Sequence, residues 1–144
     1  MLLNIALAGT VMVGTTIIHA FGTMVVFHFN SRPVRQMALA RTSRVSAIVL
    51  LMFIITLLEV LLWAIVYRGL DTIETLERAL YFSMVTYTTL GYGDIVLPPQ
   101  WHLLSSFEAA NGIMMFGWTT SIVLASVQRI YAPVKSSKFG KTAQ

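Results

Sequence analysis

Thr88-Thr89-Leu90-Gly91-Tyr92-Gly93-Asp94 lies between two long apolar runs, and its reading decides that of the whole chain. Two glycines flank a tyrosine, a pattern for which a lipid-buried helix has no use. A backbone that turns its carbonyl oxygens toward one axis does need it, because alternate residues must adopt conformations closed to most side chains. Just before this stretch, Glu77 to Thr88 is apolar and aromatic, with Ala79, Leu80, Tyr81, Phe82, Met84, Val85 and Tyr87. That makes about three helical turns, too short to cross a bilayer. A short apolar helix followed by non-helical backbone is the form of a loop that dips into a membrane and returns. Such backbone is tolerated at membrane depth only where protein buries it or where it lines a wet cavity.

Composition agrees with a membrane setting. Of 144 residues, 56% are hydrophobic and 11% charged, whereas soluble domains average about 25% charged. The length allows one domain. The absence of cysteine excludes disulfides, thiolate metal sites and cysteine chemistry. Three segments are apolar enough to span: Met1 to Phe29, Val45 to Val66 with the single charge Glu59, and about His102 to Ile130 with Glu108 and Arg129. Ala6-Leu7-Ala8 looks like a signal-peptidase site. However, no basic residue precedes the run, the run is too long for a signal core, and the arginines follow it, so a retained span is expected.

The basic residues set an expected orientation. Arg32, Arg35, Arg41 and Arg44 lie between the first two spans. Arg129, Lys135, Lys138 and Lys141 lie at or beyond the end of the third. Three spans place both groups on one side, which the positive-inside rule makes cytoplasmic, with the N-terminus outside. The opposite segment holds Arg68 and Arg78 against Asp71, Glu74, Glu77 and Asp94, a net charge of −2. The basic total therefore reflects topology, with anionic lipid as a candidate partner of Arg32, Arg35, Arg41 and Arg44. It lacks the clustering of a nucleic-acid footprint, and no nucleic acid is expected. Asp71-Thr72-Ile73-Glu74 has the pattern of a helix start.

The segment 88–94 resembles the selectivity filter of potassium channels, whose usual form is Thr-Val-Gly-Tyr-Gly-Asp, and residues 44–131 resemble their two-helix pore module. The resemblance implies an all-α integral membrane protein. Its parts would be an extra N-terminal transmembrane helix (1–30), a basic cytoplasmic connector (31–43), the pore domain (44–131) and a basic cytoplasmic tail (132–144). Within the pore domain it implies an outer helix at 44–68, a re-entrant pore helix at 77–88, the filter at 89–94 and an inner helix at 102–131. It also implies K+ as permeant ion, held by the carbonyls of Thr89, Leu90, Gly91 and Tyr92 and by the Thr89 hydroxyl, with Gly91 and Gly93 giving backbone freedom. Tyr92 would point away from the axis and pack against the pore-helix layer. Asp94 would sit at the mouth and concentrate cations. One loop cannot close a ring, and no internal repeat supplies others, so a homotetramer is implied.

Two departures from the family pattern stand out. Leu90 replaces a valine and is less stiff at χ1. Phe82 and Val85 occupy positions where many channels carry tryptophan and some carry glutamate, residues that hydrogen-bond to the filter aspartate. Asp94 therefore has another partner or is solvated, and a filter prone to inactivate is expected.

On the third span, Gly112 resembles the hinge glycine of channel inner helices. A small residue for close packing against the pore helix is the alternative. For Gly117 packing is the expectation. Ile113, Phe116 and Thr120 follow at helical spacing as candidates to line a cavity. Glu59 stands seven residues before Val66 and Glu108 six after His102, so both lie about 10 Å inside the membrane, level with the filter. An intramembrane carboxyl is a functional candidate. Glu59 is read as support, and Glu108 as support or as a proton-sensitive gate.

The first span is read as a peripheral helix outside the outer helix, with His19 a packing residue and His28 interfacial. The arginines after it are broken by Pro33 and lie outside the apolar run, so they are no voltage sensor. The sequence holds no nucleophile–base pair, phosphate loop or metal-ligand cluster, so catalysis is not expected. Competing readings are a weakly selective monovalent cation channel and a non-conducting membrane adaptor. The gating stimulus stays open, a separate regulatory subunit among the options.

Overall fold

A computed structural model describes residues 1–31 and 37–132. Its regular elements are four α-helices and one short 3-10 turn: α1 (Leu2–Asn30), α2 (Ala38–Gly69), α3 (Leu76–Tyr87), the turn Pro99–Trp101 and α4 (His102–Tyr131). α1, α2 and α4 have the length and hydropathy to cross a membrane. α3 has 12 residues, about 18 Å at helical rise, against a hydrocarbon core of about 30 Å. Its start is fixed by Thr75, whose hydroxyl oxygen accepts from the Arg78 N–H at 3.3 Å.

α1 is organised inside out relative to a helix of a soluble bundle. The buried stripe of α1 includes Asn4, Thr15, His19, Thr23 and Asn30. Its exposed residues include Leu2, Leu3, Val13, Ile17, Phe21 and Phe27. Polar residues inside and large apolar residues outside suit a hydrocarbon surround, where helices are joined by interhelical hydrogen bonds and close backbone contact. Asn4 reaches Gln100, and Thr15 reaches Asn111, so α1 and α4 run parallel. His19 reaches Glu59 and Gly22 meets Ile55, so α2 is antiparallel to both. A Cβ at Gly22 would lie 2.6 Å from the Ile55 side chain, so this approach requires glycine. α3 packs between α2 and α4. Trp63, Tyr67, Phe82, Tyr87 and Leu104 form the centre of the core.

Several expectations are corrected. α1 is no appendage on the outer helix, because it packs against both α2 and α4. α2 begins at Ala38 rather than Arg44, so Arg41 and Arg44 stand on its first turns. The Arg41 guanidinium lies 5.7 Å from the Tyr131 ring centroid, which ties the ends of α2 and α4 together. Asp71–Glu74 is not a helix start. Thr72 donates from its backbone N–H and its hydroxyl to the Tyr67 carbonyl, at 3.2 and 2.8 Å, and so closes the end of α2. Asp71 has φ 50° and pairs with Arg68 at 2.9 Å. The expected sites at Arg32 and Arg35, and the tail beyond Ala132, lie outside the described residues.

Candidate functional site

The loop after α3 is shaped by its first hydrogen bonds. The N–H groups of Thr88, Thr89, Leu90 and Gly91 all donate back to the last turn of α3. Their acceptors are Met84, Thr86, Val85 and again Val85, at 3.1, 2.9, 2.9 and 3.3 Å. Every peptide bond among the described residues is trans. In a planar trans peptide, N–H and the preceding C=O point oppositely. The carbonyls of Thr88, Thr89 and Leu90 therefore point away from α3. Continuing this row requires left-handed backbone at alternate residues, and Thr89, Gly91 and Gly93 have φ of 59°, 56° and 78°. Glycine adopts that region without penalty, whereas Thr89 does so at a cost of about 1–2 kcal/mol.

Within the single chain, Leu90 and Tyr92 are 55% and 66% exposed. Asp94 has the partner that Phe82 and Val85 could not provide. The Tyr81 hydroxyl donates to its Oδ2 at 2.8 Å, and that bond raises the pKa of the exposed phenol. Phe82 instead packs edge-on against Tyr67, with centroids 5.1 Å apart. A cavity of about 360 Å³ lies between the loop, α3 and the start of α4, lined in part by Tyr81, Thr89, Asp94, His102 and Ser106. The returning segment is held by the His102 ring, whose Nε2 lies 2.8 Å from the Leu97 carbonyl oxygen.

Behind the loop both intramembrane carboxyls are fully buried. Glu108 on α4 accepts from the Tyr67 hydroxyl at 2.7 Å and makes a short bond to the Ser83 hydroxyl. Ser83 also lies 2.9 Å from the Val60 carbonyl oxygen. One serine proton cannot serve two acceptors. A proton on Glu108 would serve its bond to Ser83 and leave the serine proton for Val60. Glu59 on α2 accepts from the Tyr87 hydroxyl at 2.6 Å and lies 2.8 Å from His19 Nδ1. Glu108 thus joins α2, α3 and α4, while Glu59 joins α1, α2 and α3. His19 is therefore a hydrogen-bonding residue as well as a packing one.

Gly112 is buried on α4, where a Cβ would run into the Tyr87 carbonyl oxygen and lie 3.1 Å from Tyr87 Cδ1. Close approach accounts for this glycine without a hinge. At Gly117 a Cβ would meet nothing within 4 Å, so within the chain it has no packing role. Ile113, Phe116 and Thr120 are exposed on α4, and Phe116 touches the Tyr87 ring edge-on with centroids 5.8 Å apart. Sequence reasoning missed the partners Tyr67, Ser83, Tyr87, Thr15 and Asn111.

A family model described as ion channel matches residues 47–129, more than half of the chain. With three helices fit to span and this loop between the last two, the protein belongs to that ion-channel family and is a multi-pass membrane protein. No curated protein and no solved structure matches it significantly.

Proposed function

We propose that four copies of this chain form a potassium-selective pore, each contributing Thr89 to Gly93 to a shared column of carbonyl oxygens that replaces the ion's hydration shell. The observation that carries this reading is the direction of the peptide planes. Carbonyls of Thr88, Thr89 and Leu90 face away from α3, and left-handed backbone recurs at Thr89, Gly91 and Gly93. The C-terminal end of α3, with its partial negative charge, adjoins the loop and favours a cation there. Asp94 adds a carboxylate at the mouth, fixed by Tyr81. A homotetramer is supported by apolar side chains left exposed on the loop and α4, among them Leu90, Tyr92, Ile113 and Met114. The exposed face with Ile113, Phe116 and Thr120 is assigned to the cavity below the filter.

The N-terminus is placed outside and the C-terminus in the cytoplasm on the basis of the arginines and lysines. Arg41 and Arg44, at the cytoplasmic end of α2, are the described candidates for anionic lipid contact. The test is flux from potassium-loaded liposomes, with sodium as control. Gly91→Ala, which puts a Cβ on backbone at φ 56°, is expected to abolish flux. Equal permeation of sodium and potassium would point to a weakly selective cation pore, and a monomer without flux to an adaptor.

A further inference from the structure

α1 is additional to the two-helix pore module, yet one of its fully buried polar side chains leads to the filter. His19 is 0% exposed. Its Nδ1 lies 2.8 Å from Glu59 Oε1, and Glu59 Oε2 accepts from the Tyr87 hydroxyl at 2.6 Å. The other ring nitrogen lies 3.4 Å from the Thr119 hydroxyl on α4, and the Trp118 ring covers the imidazole at 5.0 Å between centroids. The assignment of protons is consistent along the chain: Thr119 donates to Nε2, Nδ1–H donates to Glu59, and Tyr87 donates to Glu59. One carboxylate thus receives two donors and is held in one rotamer.

Tyr87 is the last residue of α3. Its own carbonyl abuts Gly112, its ring abuts Phe116, and the next residue opens the loop. A backbone rotation at Tyr87 would turn the peptide plane that its carbonyl shares with the Thr88 N–H, the first of the loop's bonds back to α3. Hydrogen bonds in a low-dielectric interior resist such rotation strongly.

We infer that His19 is a positioning residue for ion selection: acting through Glu59 it fixes the Tyr87 hydroxyl, and thereby the orientation of the carbonyls that open the filter. The inference rests on the pore reading above. It gives α1 a role in selectivity that a peripheral helix would not have.

The test uses the full chain in liposomes and reads the potassium-to-sodium permeability ratio from bi-ionic reversal potentials. His19→Leu removes the ring's bond to Glu59, and a lost buried hydrogen bond corresponds to about tenfold in an equilibrium. The ratio is expected to fall by about that factor, and Tyr87→Phe is expected to match it. His19→Asn places an amide N–H near the position of Nδ1 and restores the ratio. Asn4→Ala cuts the bond from α1 to the Gln100 carbonyl, which loosens the same helix without touching the chain, and leaves the ratio unchanged. A His19→Leu protein that assembles and keeps its ratio overturns the inference. So does an equal fall in Asn4→Ala, which would reduce the effect to general helix packing. If His19→Leu fails to assemble, Tyr87→Phe decides, since the chain acts only through that hydroxyl and an unchanged ratio there refutes it. Absence of selective flux in the unaltered protein would instead refute the pore reading itself.

Discussion

Replacing Gly112 by alanine separates a packing glycine from a hinge glycine, because the two readings give opposite signs. The added methyl would sit against the Tyr87 carbonyl oxygen, its carbon and Cδ1, the last two at 2.9 and 3.1 Å. Two of these atoms are backbone, at the end of a helix whose last turn also anchors the loop, so they cannot swing aside. Overpacking of this kind costs about 1–3 kcal/mol, and a site with no rotamer escape belongs at the upper end. Alanine returns about 1 kcal/mol as the better helix former. The expected net loss is about 2 kcal/mol, or about 4–8 °C in the melting midpoint for a chain of this size. The assay is thermal unfolding of the purified protein in detergent, beside Gly9→Ala, where a Cβ meets nothing within 4 Å. Gly9→Ala is expected to be neutral or to stabilise by up to about 1 kcal/mol. A free hinge would gain stability from alanine while losing opening. A midpoint raised in Gly112→Ala as in Gly9→Ala would therefore refute the close-packing account.

Three further outcomes follow from the site. Glu108→Gln is expected to unfold within about 1 kcal/mol of the unaltered chain, because its amide can donate to Ser83 and accept from Tyr67. Glu108→Leu should cost about 1–3 kcal/mol, because the Tyr67 hydroxyl loses its acceptor while Ser83 keeps Val60; equal midpoints would argue against the assigned bonds. If Glu108 is also a proton-sensitive gate, Glu108→Gln flattens the pH dependence of current, and an unchanged profile removes that role. Replacing potassium by sodium in the unfolding buffer should lower the melting midpoint, since a ligand at about a hundredfold excess over its Kd stabilises by about 2.7 kcal/mol. Equal midpoints in the two salts would count against ion binding in the filter.

The loop and the spans were legible because each depends on local signals: alternate glycines, and apolar runs of bilayer length. Glu59 and Glu108 were equally visible, as carboxyls in apolar surroundings. Their partners were not. Tyr67, Ser83 and Tyr87 each present one polar atom on a side chain that suits an apolar helix, and nothing local says which way that atom points. His19 and Glu59 are 40 residues apart, and Thr15 and Asn111 are 96, so only the helix register brings them together. One signal was available. Asn4, Thr15, His19 and Asn30 fall at spacings of 11, 4 and 11, which place them on one helical face. A polar stripe on a spanning helix points toward protein rather than lipid. The start of α2 was missed for another reason. Pro33 marked a break, but Met37 to Arg44 contains no proline or glycine, and charge alone does not end a helix.

That polar stripe bears on what α1 is to the pore module. Within α2 and α4, the faces turned toward α1 carry Glu59 and Asn111, both fully buried. Without α1, hydrocarbon would replace His19 beside Glu59 and Thr15 beside Asn111. A carboxylate at the centre of a spanning helix costs about 2.5–3.5 kcal/mol on insertion scales, and an unpaired buried amide about 1–3 kcal/mol. A two-helix module able to stand alone would not place such groups toward lipid. The bonds at Asn4, Thr15 and His19 reach the 3-10 turn at Gln100 and then α4 at Asn111 and Thr119, spread along the first two-thirds of both α1 and α4. Any bending of α4 in that stretch must move α1 or break these bonds. The first helix is therefore part of the folding unit that holds the loop after α3, and motions of α4 are coupled to it by construction.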